Sequence, residues 1–281
     1  MMETIGQYKL LDQIGSGGIG DLFRARDTKV GRTVALKVVS SDIAGDSRRR
    51  VQFLNDAAPL TSLSHPAIAS VYEVGEDAGV LFLAMEFVPG DTLKRVIAGR
   101  GLNARRAMDY AIQMADALAE AHAVGIVHGH LTTANVIVTP KGTVKILEFG
   151  LGPWTRSGRS NEKRDDIFAL GTVLFEIVAG RPFGDEFTPA EQRSISKEVP
   201  PELETIIGRL LTLDADRAYS SPATAAADLR GAAEAVDRRT DVRPPPTPVP
   251  VKKTGMGSLR WVIVLAVLVL IAALAWIALR R

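Results

Sequence analysis

The pattern of apolar and polar positions divides the first 237 residues into a strand-rich part followed by a helix-rich part. Short runs of β-branched or alternating apolar residues, separated by turn residues, predict strands; these runs are Tyr8 to Ile14, Leu22 to Arg26, Thr33 to Val39, Ala69 to Val74 and Val80 to Phe87. From Ala104 onward, apolar residues recur at helical spacing; Ala107, Tyr110, Ala111, Met114, Ala115, Leu118 and Ala121 share one face. We therefore predict an α+β body of two lobes, with a small sheet first and a helical mass second.

An uninterrupted apolar run lies near the end of the chain. Residues 261–279 are 19 residues without a charged side chain, which at about 1.5 Å per residue is long enough to cross roughly 30 Å of hydrocarbon. Trp261 and Trp276 lie near its two ends, where tryptophan suits membrane interfaces. We expect one transmembrane helix over 261–279, preceded by a proline-rich basic linker over 238–260.

Charge separates the same two parts of the chain. The overall balance of 34 Lys+Arg against 32 Asp+Glu hides a body, residues 1–237, with 26 basic and 31 acidic residues and a net charge of −5. Residues 238–281 hold 8 basic residues and 1 acidic residue, a net charge of +7. Because Lys252, Lys253 and Arg260 precede the apolar run and no apolar segment precedes the body, we expect a single-pass protein of the cell membrane whose N-terminal body is cytoplasmic.

Composition excludes several kinds of chemistry. The chain has no cysteine, so disulfides, iron–sulfur clusters, thiolate zinc sites and cysteine nucleophiles are absent. Four histidines leave little material for a metal cluster. No nucleic-acid-binding motif accompanies the basic residues, and we expect no nucleic-acid partner.

A glycine-rich segment, Ile14-Gly-Ser-Gly-Gly-Ile-Gly20, connects two predicted strands. A dinucleotide-binding motif requires a helix directly after its last glycine, whereas the residues after Gly20 predict a strand. A hairpin whose turn contains Gly15, Gly17 and Gly20 can lie flat over a phosphate chain, because no Cβ holds the backbone away. Lys37 ends the strand Val34-Ala-Leu-Lys, 17 residues after Gly20, and places an ammonium beside the loop. A glycine-rich hairpin without a ligand is the alternative for the loop taken alone.

With these two motifs the chain resembles the protein-kinase family, specifically bacterial membrane-anchored serine/threonine kinases, over about residues 8 to 231. The other segments that carry the resemblance are Ser64-His-Pro-Ala-Ile68, Ala84-Met-Glu-Phe-Val-Pro-Gly-Asp-Thr-Leu93, Gly125-Ile-Val-His128, Ala134-Asn-Val-Ile137, Val144-Lys-Ile-Leu-Glu-Phe-Gly150, Asp165-Asp-Ile-Phe-Ala-Leu-Gly171 and Gly180-Arg-Pro-Phe183. The resemblance implies a two-lobed protein-kinase-like fold, with an N-lobe at 8–85 and a C-lobe at 86–231.

The resemblance also implies an ATP cleft between the lobes. Leu22, Ala35 and Ile137 match the positions that sandwich adenine in the family, while Glu86 and Val88 match backbone positions that hydrogen-bond to it. A further set, Leu60, His128 and Phe149, matches members of the apolar spine that joins the lobes. These residues can also be plain core residues.

The residues that the family uses for phosphoryl transfer are altered in this chain. The family's His-Arg-Asp-Leu-Lys reads His-Gly-His-Leu-Thr here, which puts His130 at the position of the catalytic base and is followed by Asn135. The metal-binding Asp-Phe-Gly begins with Glu148 instead. Because Mg²⁺ demands near-ideal octahedral geometry, we expect Asn135 and Glu148 to bind it weakly if at all. The acid that pairs with Lys37 aligns with Asp56, which is shorter than glutamate, so we expect this ion pair to be stretched or absent.

The stretch between Glu148 and Asp166 has only 17 residues and lacks an Ala-Pro-Glu element, so the platform for a peptide substrate is largely missing. Together these departures indicate a pseudokinase, a signalling or regulatory module that can bind ATP and acts through an unidentified protein partner, such as another kinase or a response component. The alternative is a weakly active serine/threonine kinase that uses His130 or Glu148 in place of the usual aspartates. A structural anchor without a ligand is the third interpretation.

Overall fold

An antiparallel sheet of six strands forms the first lobe. The computed structural model describes residues 4–155, 162–184 and 199–241. The strands lie in the order β1-β2-β3-β4-β6-β5 and are β1 Thr4–Ile5, β2 Tyr8–Gly17, β3 Gly20–Asp27, β4 Arg32–Val39, β5 Val71–Asp77 and β6 Val80–Glu86. The five strands expected from the sequence are confirmed, and β2 runs on to the glycines of its turn.

Helices α1 Ser41–Ala44 and α2 Ser47–Ala57 connect β4 to β5, followed by a 3₁₀ turn at Ala58–Ser62. Helix α2 begins after Asp46 because that carboxylate accepts hydrogen bonds from the backbone N–H groups of Arg48 and Arg49, at 2.8 and 3.0 Å. These bonds stabilise the charged form and hold the pKa of Asp46 below its usual value. Phe53 and Ala57 are the buried residues of this helix.

The second lobe is built mainly from helices: α3 Leu93–Ile97, α4 Ala104–Ala123, α5 Lys163–Ala179, α6 Pro201–Leu210 and α7 Pro222–Asp241. The seven α4 residues expected to share one face are all buried, as predicted, and they form part of a core that includes α5, α6 and α7. A three-stranded sheet completes this lobe; its strands are β7 Asp91–Thr92, β8 Val136–Val138 and β9 Val144–Ile146. Ile146 of β9 also makes an isolated parallel bridge with Ile68, which lies just before β5. The α+β architecture with two lobes is therefore confirmed.

The last helix of the second lobe runs beyond residue 231, the end that the sequence predicts for this lobe. Helix α7 continues past residue 231 to Asp241, and so includes the first residues assigned to the linker 238–260. The rest of that linker and the predicted span 261–279 lie outside the described residues. Within the described ranges, no helix combines the length and the hydropathy needed to cross a membrane.

Candidate functional site

A cleft of about 540 Å³ lies between the strand-rich and the helix-rich lobe. It is lined by most of the residues that the sequence singled out: Gly15, Gly17, Leu22, Ala35, Lys37, Glu86, Val88, His130, Asn135, Ile137 and Glu148. Gly20 and Asp56 are the two candidates that do not line it. The described structure thus brings the nucleotide, base and metal candidates of the sequence to one place, apart from these two.

Gly20 has a structural role beside the cleft. It pairs with Gly17 across the β2–β3 turn and with Val39 of β4. A Cβ on Gly20 would lie 1.9 Å from the carbonyl oxygen of Val38, so only glycine allows β3 to begin this close to β4. Its neighbour Ile19 is buried and packs with Phe53 of α2 in one core cluster, which holds the turn against the lobe.

The turn lies directly over an ion pair. Lys37 is 4% exposed, and its Nζ donates to Oε1 of Glu148 at 2.9 Å and to the carbonyl oxygen of Gly17 at 3.1 Å. A Cβ built on Gly18 would be 3.8 Å from both Lys37 Nζ and Glu148 Oε2. The glycine-rich turn, the lysine and the glutamate therefore enclose the inner end of the cleft.

Asp56, expected as a stretched or missing partner of Lys37, is exposed on α2. The lysine is paired with Glu148 instead. Glu148 has a left-handed φ of 61°, uncommon for a residue with a side chain. Such a conformation persists where the surrounding structure determines it strongly, and it is concentrated at functional sites.

A buried carboxylate holds the segment that carries His130. Asp166, 1% exposed, accepts hydrogen bonds from the backbone N–H groups of His128 and Gly129, at 2.8 and 2.9 Å. Its other contact is with Nε2 of His122, at 2.8 Å. The sequence pointed to Asp166 only through a family match, and it gave no indication that His122 reaches the same carboxylate from α4.

His128 fixes the backbone at the base position. Its Nδ1 accepts from the backbone N–H of His130 at 3.1 Å, and its Nε2 donates to the carbonyl oxygen of Leu147 at 2.9 Å. This pairing assigns a neutral imidazole, in agreement with burial, which lowers the pKa of His128. The ring also packs edge to face on Phe149, with centroids 4.8 Å apart, so it supports both chain segments at the floor of the cleft.

The imidazole of His130 has a polar atom available at this floor. Its Nδ1 is buried and makes no hydrogen bond with the part of the chain that the structure describes. Nearby, the hydroxyl of Thr132 donates to Oδ1 of Asn135, and the backbone carbonyl of Asn135 accepts from the N–H of Leu147 at 2.8 Å. The Asn135 amide oxygen is thus already engaged within its own turn.

A second lysine and glutamate pair lies at the hinge. Lys145 Nζ donates to Oε2 of Glu86 at 2.7 Å and to the carbonyl oxygen of Ile68 at 3.1 Å. Sequence reasoning missed Lys145, although a lysine between two buried β9 residues, Val144 and Ile146, is a signal that it has a partner. The pair links the end of β6 to β9 and so ties the two lobes together behind the cleft.

The lining fits a nucleotide better than it fits Mg²⁺. Apolar walls formed by Leu22, Ala35 and Ile137 suit a flat aromatic base, and Lys37 suits an anion attached to it. The candidate metal donors are already engaged: Glu148 with Lys37, and the Asn135 amide with Thr132. Among the described residues, no cluster of three or more His, Asp or Glu side chains has the arrangement of a metal site.

Comparison with known proteins agrees with this geometry. Residues 8–164 match the family model of the protein kinase domain. Serine/threonine-protein kinase PrkC of Bacillus subtilis is 31% identical over 274 residues, which cover 85% of this chain and 42% of PrkC. Serine/threonine-protein kinase PknA of Mycobacterium tuberculosis is 35% identical over 228 residues, 70% of this chain and 53% of PknA. The chain therefore spans about half, or less, of the length of these relatives.

Solved structures show the same fold. The crystal structure of the Mycobacterium tuberculosis PknI kinase domain superposes with a TM-score of 0.70 at 24% identity, covering 82% of this chain and 98% of that domain. The two-lobed fold with a β-rich N-lobe and a helical C-lobe is thus that of protein kinases, a family that in general uses ATP and Mg²⁺. This chain belongs to the protein kinase domain family and is of the bacterial serine/threonine kinase type.

Proposed function

We propose that this protein is a pseudokinase that binds an adenine nucleotide in the cleft, transfers its phosphate feebly or not at all, and acts as a regulatory module on a protein partner. One observation carries the proposal. The carboxylates that line the described cleft are Glu86 and Glu148, each paired with a lysine, and the position of the catalytic base holds the imidazole of His130. No carboxylate of this lining is left to accept the proton of an attacking hydroxyl.

The expected loss of rate is large. Phosphoryl transfer depends on metal ions that neutralise the phosphates and on a group that orients and deprotonates the hydroxyl. Removing a general base costs typically 10² to 10⁴ in rate. The weak metal donor set at Asn135 and Glu148 adds to that cost, although such effects are not additive.

Nucleotide binding is supported by what the cleft retains. The apolar walls, the Lys37 ammonium and the glycine turn are all present in the lining, and the bond between Lys145 and Glu86 joins β9 to the end of β6. Binding needs these parts, whereas transfer needs a base as well. A pocket can therefore persist after the chemistry is lost.

A weakly active kinase is the second candidate, and the unbonded Nδ1 of His130 favours it. In that reaction the hydroxyl oxygen bonds to the γ-phosphorus, ADP leaves with the electrons of the broken bond, and His130 Nδ1 takes the hydroxyl proton. Imidazole is a competent general base at neutral pH.

Thermal-shift titration of the full chain with ATP tests binding, because a ligand that binds only the folded state raises its stability by mass action. Phosphate transfer from γ-labelled ATP, with Lys37→Met as the blank, tests chemistry. A shift without transfer supports the pseudokinase. Transfer that is lost in His130→Gln and also in Lys37→Met establishes the weak kinase. The absence of a thermal shift at millimolar ATP contradicts nucleotide binding.

We also propose that residues 261–279 anchor the protein in the cell membrane, with the kinase-like domain on the cytoplasmic side. The support is the 19-residue uncharged run and the basic residues before it. The double substitution Leu268→Arg with Ile271→Arg places two arginines at the centre of the run, and each raises the free energy of membrane insertion by about 2.5 to 3.5 kcal/mol. The full chain should sediment with membranes and this variant should not; equal sedimentation contradicts the anchor.

A further inference from the structure

We infer that the cleft binds its nucleotide without a divalent cation, because the Lys37 ammonium takes the carboxylate that would otherwise hold the metal. The inference rests on the proposed nucleotide binding and specifies its charge requirements. It starts from the pairing of two residues 111 positions apart, Lys37 and Glu148, whose side chains are 5% and 23% exposed.

The pairing follows from where Asp56 lies. A lysine buried to this extent needs an anionic partner, since an unpaired buried charge is strongly destabilising. Asp56 is exposed on α2, and Glu148 meets the need at 2.9 Å. Because Asp56 does not supply an acid to Lys37 from α2, the longer side chain of Glu148 supplies it instead.

This arrangement leaves little attraction for a divalent cation. The charges of Lys37 and Glu148 cancel at the inner end of the cleft, and a cation bound to Glu148 would lie beside the lysine ammonium. The other candidate oxygen, on Asn135, already accepts the Thr132 hydroxyl. His130 offers a nitrogen where Mg²⁺ prefers oxygen. The residues therefore do not fit Mg²⁺.

The same pair limits what the phosphates contribute. A phosphate chain that approaches Lys37 also approaches Glu148, whose second oxygen Oε2 lies under Gly18. Attraction and repulsion largely offset each other, so the base and sugar supply most of the affinity. We therefore expect adenosine, ADP and ATP to bind within about fivefold of one another, a difference of about 1 kcal/mol or less.

Replacement of Glu148 distinguishes its role as the partner of Lys37 from a role as a metal ligand, because the two roles predict opposite changes in ATP affinity. In Glu148→Gln the amide is nearly isosteric but uncharged, so Lys37 is free to attract phosphate. We expect ATP to bind about tenfold more tightly to this variant and adenosine to bind unchanged. If Glu148 were a metal ligand, the same substitution would weaken binding of ATP with Mg²⁺. The matched control is Glu202→Gln, because Glu202 pairs with Arg239 on α7 and lies outside the cleft lining.

The experiment is calorimetric titration of the detergent-solubilised full chain and both variants with adenosine, ADP and ATP, in EDTA and in millimolar Mg²⁺. For the natural chain we expect the same dissociation constant in both buffers within about twofold, and we expect Glu148→Gln to bind ATP more tightly. Binding that Mg²⁺ strengthens by about tenfold or more, or that Glu148→Gln weakens, overturns the inference and leaves the proposed function standing. No heat and no thermal shift with any of the three ligands in either buffer overturns both. Far-ultraviolet circular dichroism of each variant checks that it is folded.

Discussion

The ammonium of Lys37 lies 2.9 Å from a carboxylate oxygen of Glu148, and the same nitrogen donates to the backbone of Gly17 at 3.1 Å. Three separate parts of the chain therefore meet at one cation: the glycine turn, β4 and the segment after β9. In this arrangement the carboxylate of Glu148 neutralises Lys37, and we have inferred above that it is therefore not free to hold a metal ion.

A double-mutant cycle measures the strength of this pair. Lys37→Met and Glu148→Gln each leave one charged partner in a mostly buried place, whereas the double variant leaves none. We expect a coupling free energy of about 1 to 3 kcal/mol from urea unfolding of the two single variants and the double variant. A coupling near zero would show that the two charges do not stabilise each other.

The carboxylate of Asp166 should be among the most important single groups for the stability of the C-lobe. Asp166→Ala leaves the backbone N–H groups of His128 and Gly129 buried without their acceptor, and we expect a loss of about 3 to 5 kcal/mol in the free energy of unfolding. The neighbouring Asp165→Ala is the matched control, because Asp165 is exposed on the same turn of α5. Its expected change is within about 1 kcal/mol. Equal effects of the two substitutions would contradict the assigned role.

Burial of His128 predicts a pH dependence of stability. Desolvation, the first cause, lowers the pKa of His128 in the folded protein below the ordinary value of 6.5, while the carboxylates of Asp166 and Glu148 oppose this and His130 adds to it. Below about pH 6.5 the unfolded chain therefore binds a proton at His128, and the folded protein binds it only at a lower pH. The contribution of His128 is fully present above about pH 6.5 and is lost as pH falls, by up to about 1.4 kcal/mol per pH unit.

Urea unfolding between about pH 7 and pH 5 checks this sign, with His128→Gln as the comparison. The variant is less stable at neutral pH because it loses the ring contact with Phe149. As the pH falls, its free energy of unfolding should decrease less steeply than that of the natural chain, by up to about 1.4 kcal/mol per pH unit. Parallel slopes in the two proteins would assign the pH dependence to other groups.

Local pattern was sufficient to predict five strands of the first sheet and the buried face of α4, whereas most of the residues that line the cleft were predicted from the resemblance to the protein-kinase family. Alternation predicted the strands around Lys37, and the 3.6-residue period predicted the face of α4 that includes Met114 and Leu118, both fully buried. Each of these features depends on neighbours within a few residues. Such patterns determine which side of an element is buried.

Pairs distant in sequence could not be predicted in the same way. The partner of Lys37 depends on where α2 places Asp56, and that position depends on how Phe53 packs, which no local pattern contains. The hinge contact between Glu86 and Lys145 likewise requires two lobes to be in place first. Sequence identified the chemical types in the cleft, whereas tertiary packing decided which charges neutralise each other.

Phosphate transfer by a protein shown to have nucleotide bound is the sharpest test of the pseudokinase proposal. The full chain is saturated with γ-labelled ATP in the presence of Mg²⁺, binding is verified by its thermal shift, and labelled protein and released phosphate are counted beside Lys37→Met. We expect a thermal shift for the natural chain, and counts that are equal to those of Lys37→Met or only slightly above them. Counts clearly above those of Lys37→Met, and lost on His130→Gln, would contradict the pseudokinase proposal and show that the imidazole works as the base of an active kinase.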